Sequence, residues 1–203
     1  SGKYYGFPTE GDADGWAYRK DLFEDPANMA AFKTKYGYDL AVPTTWAQLM
    51  DIGKFFTQPD KNLYGVAIYT QKDYDAITMG FENIMFSYGG AWQAADNTVE
   101  GVVNSPDMVD ALQYYKDLYD CCQVPGLSNA FYTETNDAMI GGKAAMIMNY
   151  FAFLPALAAL KASLDVEKDL LRSHQERYRQ AAAERDAADA RVSQLSTELD
   201  AMA

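Results

Sequence analysis

The sequence predicts an α/β lobe followed by one long helix. Three observations predict it. Short branched and aromatic runs alternate with helical-period runs over the first 155 residues. The composition breaks at Pro155. A seven-residue apolar repeat then runs to the last residues. All 14 Gly, all 7 Pro and all 3 Trp lie at or before Pro155, and the last 48 residues contain none of them. Gly and Pro punctuate turns, so the C-terminal 48 residues are expected to contain no tight turn.

The elements follow in order. Lys3 to Pro8 reads as a short strand ended by proline, and Gly15 to Arg19 as a second strand, with a turn-rich loop between them. Pro26 to Tyr36 reads as a helix stopped by Gly37. Thr44 or Thr45 caps the next helix, whose buried side carries Trp46, Leu49, Ile52 and Phe55-Phe56. Tyr64 to Tyr69 is a strand by its branched and aromatic content. Asp73 to Tyr88 is a helix ended by Gly89-Gly90, and Val99 to Val103 reads as strand-like. In Ser105-Pro106-Asp107 the serine caps, the proline fits the first turn and the aspartate meets the positive end of the helix dipole. Thr135 to Ile140 is a short helix ended by Gly141-Gly142, and Ala144 to Asn149 is a buried strand.

Beyond Pro155, with Leu157 at position a, the a positions hold Leu157, Leu164, Leu171, Tyr178, Arg185, Val192 and Leu199. The d positions hold Leu160, Glu167, His174, Ala181, Ala188, Leu195 and Met202. A polar residue on such a seam costs stability and fixes register. The pattern leaves two possibilities open: packing on the chain's own lobe, or pairing with a second helix through Leu157, Leu160, Leu164, Leu171, Tyr178, Val192, Leu195 and Leu199.

Charge and composition exclude several functions. The chain has 17 basic and 29 acidic side chains among 203 residues, a net charge of −12. A nucleic-acid surface needs the opposite balance. No run of 18 apolar residues exists to form a membrane-spanning helix. One histidine, His174, and two cysteines put most zinc sites and His-based triads out of reach. Cys121 and Cys122 are adjacent. Ordinary bridges span Cα atoms about 4.4–6.8 Å apart against a chain step of about 3.8 Å, so free thiols are expected. Paired acids such as Asp12/Asp14 and Asp73/Asp75 arise readily in so acidic a chain, and no phosphate-binding glycine motif occurs. No enzyme activity, cofactor or metal is expected.

The order of landmarks over residues 3 to 155 resembles a known family. They are Tyr4-Tyr5-Gly6-Phe7-Pro8, Trp16-Ala17-Tyr18-Arg19-Lys20-Asp21-Leu22-Phe23, Pro43-Thr44-Thr45-Trp46, Tyr88-Gly89-Gly90, Asn104-Ser105-Pro106 with Ala111-Leu112, and Gly141-Gly142-Lys143-Ala144-Ala145-Met146. Together they resemble the sugar-type (family 1) extracellular solute-binding proteins of bacterial ABC importers, which hold a solute between two α/β lobes. The resemblance implies a single lobe of a periplasmic-binding-protein-like fold, the second lobe, over residues 1–155. An unrelated coiled-coil-like helix over 156–203 follows, and the first lobe has no counterpart in these residues. It further implies a carbohydrate solute bound weakly by the fragment, an ABC permease as partner and a periplasmic or extracytoplasmic location. It places Asn149, Tyr150 and Phe151 at the end of a cleft-facing strand.

Sugar binding needs flat aromatic faces and planar amides or carboxylates. Tyr150, Trp92, Asn149, Phe151, Asp75 and Glu82 are the candidate ligand-binding residues on that ground. Self-association is expected through the tail, the exposed lobe face or both; the rival expectation is a structural protein whose C-terminal helix self-associates or binds a partner. A third is an extracytoplasmic sensor fragment whose helix passes a signal onward.

Overall fold

A computed structural model describes residue 6 and residues 11–200, with the side chains of 160–165 and 197–200 left undescribed. The predicted strand at Lys3–Pro8 falls outside these residues. The described chain forms two compact units, residues 1–157 and 158–203.

The first unit is built on a three-stranded sheet, β1 (Asp14–Tyr18), β2 (Tyr64–Ala67) and β3 (Ala144–Tyr150), in the order β1-β3-β2. β2 runs parallel to the central β3, and β1 runs antiparallel to it, with Asp14 opposite Tyr150 and Tyr18 opposite Met146. A strand covered on both faces reads as a continuous apolar run, and β3 does. On one face Met146 and Met148 pack with Phe32, Ile52, Phe56, Ile84, Met85 and Leu118. On the other, Ile147 packs in a second cluster with Val124 and Ala138. The unit is an open α/β layer structure, as the sequence predicts.

The helices begin and end where local chemistry dictates. After the short α1 (Lys20–Phe23), α2 (Pro26–Tyr36) is capped by the Asp25 carboxylate, which accepts from the Asn28 amide. It ends at Gly37, whose φ of +82° is costly for any residue with a Cβ. Thr45 caps α3 (Trp46–Phe56), and Ser105 caps α5 (Pro106–Cys122). Between them lies α4 (Ala76–Ser87), and α6 (Tyr132–Ile140) precedes β3. Gly65 marks the closest approach of sheet and helix: a Cβ there would stand 2.1 Å from the Gly53 carbonyl oxygen of α3.

Three expectations are corrected. Val99–Val103 is a chain of turns, because Gly101 takes a φ of +80° and its amide donates to the Asn104 side chain at 2.6 Å. α4 starts at Ala76 rather than Asp73, because Tyr74 occupies the left-handed region (φ +56°) and interrupts the helical path. Cys121 and Cys122 are joined in a disulfide across a Cα separation of 3.7 Å, at the last turn of α5.

The second unit is helical. It continues α7 (Pro155–Asp200), 46 residues without interruption, or about 70 Å at 1.5 Å per residue. Leu157 is half-buried in the first unit, against the cluster that contains Ile147. Leu171, Tyr178, Val192 and Leu195 are exposed, Tyr178 by 83%. The side chains of Leu160, Leu164 and Leu199 lie outside the described set. His174 sits on the helix surface with Nδ1 2.9 Å from the Leu170 carbonyl oxygen.

Candidate functional site

Parallel strands β2 and β3 finish at the same edge of the sheet, and β1 starts there. Open α/β sheets present ligands at the C-terminal ends of their parallel strands, where loops diverge. The side chains gathered at this edge come from the end of β3, the start of β1, α4, and the loops after β2 and α4.

Asn149 is fully buried and anchors the edge. Its amide nitrogen lies within 2.9–3.1 Å of Tyr132 O, Thr135 Oγ1 and Asn136 Oδ1. Its oxygen accepts from the Tyr69 hydroxyl at 2.6 Å and the Tyr150 amide at 2.9 Å. The side chain holds β3 to α6 and to the loop after β2. It lies beneath the surface, where it sets the position of Tyr150.

Tyr150 is half-buried, its ring against Tyr69 and Phe153. Burial pushes its hydroxyl up to about 12, and the charges of Asp14, Glu82 and Asp12 push the same way. Phe151 is 57% exposed; its amide donates to Ala13 O, and its ring edge fills the space a Cβ on Gly15 would need, 2.7 Å away. On α4, Asn83 donates to Asp14 Oδ2 at 2.8 Å, and Glu82 Oε1 accepts from the indole nitrogen of Trp92 at 2.7 Å. The Trp92 ring meets Phe81 edge-on and remains 39% exposed. Asp75 is exposed at the start of α4; its carbonyl oxygen accepts from the Met79 amide at 2.8 Å, while its side chain makes no capping bond.

Of the six predicted residues, Asn149, Tyr150 and Phe151 share one strand end, and Glu82 and Trp92 form a hydrogen-bonded pair on the adjoining helix and loop. Asp75 lies two turns before Glu82. Sequence reasoning missed the contribution of Asp14 and Asp12. Asp14 stands opposite Tyr150, with Oδ2 bonded to Asn83 and Oδ1 buried without a partner among the described residues. Desolvation raises its pKa, and Asp12 and Glu82 add to the rise. Asp12 Oδ2 accepts from the Ala152 amide at 3.1 Å. Tyr74, 76% exposed, faces Phe131 across a 6.0 Å ring separation. The signal that would have found Asp14 is the pairing register of β1, which no local pattern carries.

The arrangement offers aromatic faces and carboxylate acceptors, the equipment for holding a hydroxyl-rich molecule. Two depressions lie elsewhere on the first unit. One, about 630 Å³, is lined by Met50, Lys54, Tyr88, Tyr114 and Cys121; the other, about 550 Å³, by Trp16, Pro43, Trp46 and Met146. Neither includes the residues of the strand-end edge.

A family model described as bacterial extracellular solute-binding protein matches residues 1–169, fourteen residues beyond Pro155. No curated protein matches the chain. Among solved structures, an ABC-transporter solute-binding protein from Agrobacterium radiobacter K84 in complex with ribitol is similar over 77% of this chain and 36% of its own, with 29% identity and a TM-score of 0.62. Maltose-bound MalE3 of T. maritima aligns over 68% and 32%, with 26% identity and a TM-score of 0.55. The cyclic α-maltosyl-1,6-maltose binding protein of Arthrobacter globiformis aligns over 73% and 34%, with 26% identity and a TM-score of 0.52. The chain spans about a third of the length of the solved structures it matches.

Proposed function

The chain belongs to the bacterial extracellular solute-binding protein family, and from that premise we propose that its strand-end edge binds a carbohydrate or sugar alcohol. Membership also gives it a periplasmic or extracytoplasmic location and puts it among binding proteins rather than catalysts. In this reading residues 1–155 correspond to the second lobe of an ABC-importer receptor, residues 156–203 are an appended helix, and a permease is the downstream partner.

The observation that carries the reading is the convergence of Tyr150, Phe151, Trp92, Glu82 and Asp14 at the ends of β2 and β3. Similarity to proteins whose structures hold ribitol and maltose supports the solute class. A face that supplies half the contacts of a micromolar site, about 8 kcal/mol, retains about 4 kcal/mol, a millimolar constant. Isothermal titration of the chain against ribitol, maltose and glucose is expected to give millimolar dissociation constants. Trp92→Ala and Tyr150→Ala should each weaken binding at least threefold. A low-micromolar constant for the wild-type chain overturns the half-site reading, and no effect of either substitution overturns the location.

A second reading rests on the exposed stripe of Leu171, Tyr178, Val192 and Leu195 along α7. Apolar residues at heptad spacing bury their surface by pairing helices, and self-association through α7 follows. Light scattering at 100 μM is expected to give a mass above that of one chain; a monomeric mass rejects this reading.

A further inference from the structure

The strand-end edge has an asymmetry of charge. The segments that build it, residues 11–18, 62–115 and 144–154, contain a single basic residue, Lys72. The same segments place Asp12, Asp14 and Glu82 near Tyr150: Asp12 bonds the Ala152 amide, Asp14 is set by strand register and Asn83, and Glu82, held by Trp92, precedes Asn83 on α4 and acts on the Tyr150 hydroxyl by its charge. Asp73 and Asp75 flank Tyr74 in the loop that leads into α4, beside Lys72. The basic groups of the sheet sit at its other end. Arg19 follows β1, bonds to the Gly142 carbonyl and pairs with Asp21, and Lys143 directly precedes β3.

Asp14 and Glu82 are each fixed by a neutral partner that leaves the charge intact. Asp14 takes a hydrogen bond from an amide and Glu82 from an indole. Neither is paired with a cation among the described residues. The aromatic faces of Tyr150, Trp92 and Phe151 therefore stand in a negative potential, and a ring's own face is electronegative as well.

We propose that this edge selects its solute by charge: it accepts neutral polyols and amino sugars and rejects sugar acids and sugar phosphates, with Asp14 and Glu82 as the specificity-determining residues. The inference rests on the reading of the edge as a solute-binding face. A unit charge about 10 Å from another in water changes a binding constant about twofold, and the interval is comparable to the screening length at moderate salt. Three carboxylates acting together give up to about eightfold between a neutral and an anionic solute at low ionic strength, and a similar factor in favour of a cation.

The test compares glucosamine, glucose and glucuronate on the full chain at pH 7 and low ionic strength, following the Trp92 indole signal in ¹H–¹⁵N spectra. The expected order of affinity is glucosamine, then glucose, then glucuronate. In the double variant Asp14→Asn/Glu82→Gln the spread between the three should shrink at least twofold. Glu24→Gln/Asp60→Asn, which removes two exposed carboxylates near the opposite end of the sheet, should leave the spread unchanged. Glucuronate binding as tightly as glucose overturns the charge selection while leaving the solute-binding reading in place. Equal loss of selectivity in both double variants also overturns it, since net charge would then be the cause. Absence of any response to all three sugars removes the solute-binding reading itself, and the inference with it.

Discussion

Asn149 shows how one side chain governs the edge. It satisfies five partners from three segments while fully buried. Replacing it with leucine keeps the volume and orphans the Tyr69 hydroxyl and the acceptors on α6. Buried polar groups left unpaired cost about 1–3 kcal/mol each. Asn149→Leu is therefore expected to lower unfolding stability by about 2–4 kcal/mol in a urea titration; a loss below 0.5 kcal/mol contradicts the anchoring role. Asp14 behaves in the opposite sense. Burial raises its pKa above the unfolded value, so the folded state holds its proton more tightly than the unfolded chain does. Its charge opposes folding at neutral pH, and that cost disappears as pH falls through the folded pKa and then the unfolded value. Asp14→Asn should raise the thermal midpoint at pH 7, with the gain fading toward pH 3; a lower midpoint at pH 7 contradicts this. At this scale the sequence pointed to Tyr150 and Phe151 by their residue type and their place at the end of a strand. Asp14 was illegible because its importance comes from register with a strand more than 130 positions away.

Among the elements, the capped helices were legible because their signals are local: Asp25, Thr45 and Ser105 each accept an amide three residues on. Val99–Val103 misled because branched residues outweighed a single glycine in the pattern, whereas Gly101 decides the backbone there. Gly65 carries a constraint of another kind. A Cβ would collide with the Gly53 carbonyl, which is backbone and cannot rotate away. Gly65→Ala is expected to push β2 from α3 and cost about 1–3 kcal/mol or more; a neutral effect on the urea midpoint would show that the approach is loose. On α7, Leu171 is 58% exposed at an a position. If self-association uses this stripe, burying such a leucine contributes about 1.5–3 kcal/mol. Leu171→Asp in the full chain should then weaken association about tenfold or more in sedimentation equilibrium. Unchanged association would move the interface elsewhere.

For the molecule as a whole, fold class and the long terminal helix followed from period and composition, since an open α/β layer and an uninterrupted helix each write their spacing into the chain. The strand-end site was legible in its residue types and only partly in its membership, because loops and register assemble it from four segments. Function rests on one contact: a hydroxyl-rich solute meets this protein at the ends of β2 and β3. The most direct measurement is a map of ¹H–¹⁵N shift changes on titrating the full chain with ribitol to tens of millimolar. The account predicts saturable changes confined to Tyr74, Glu82, Trp92, Tyr150, Phe151 and their neighbours. Changes centred on the depression between Trp16 and Trp46, or no saturable change at any residue, would contradict it.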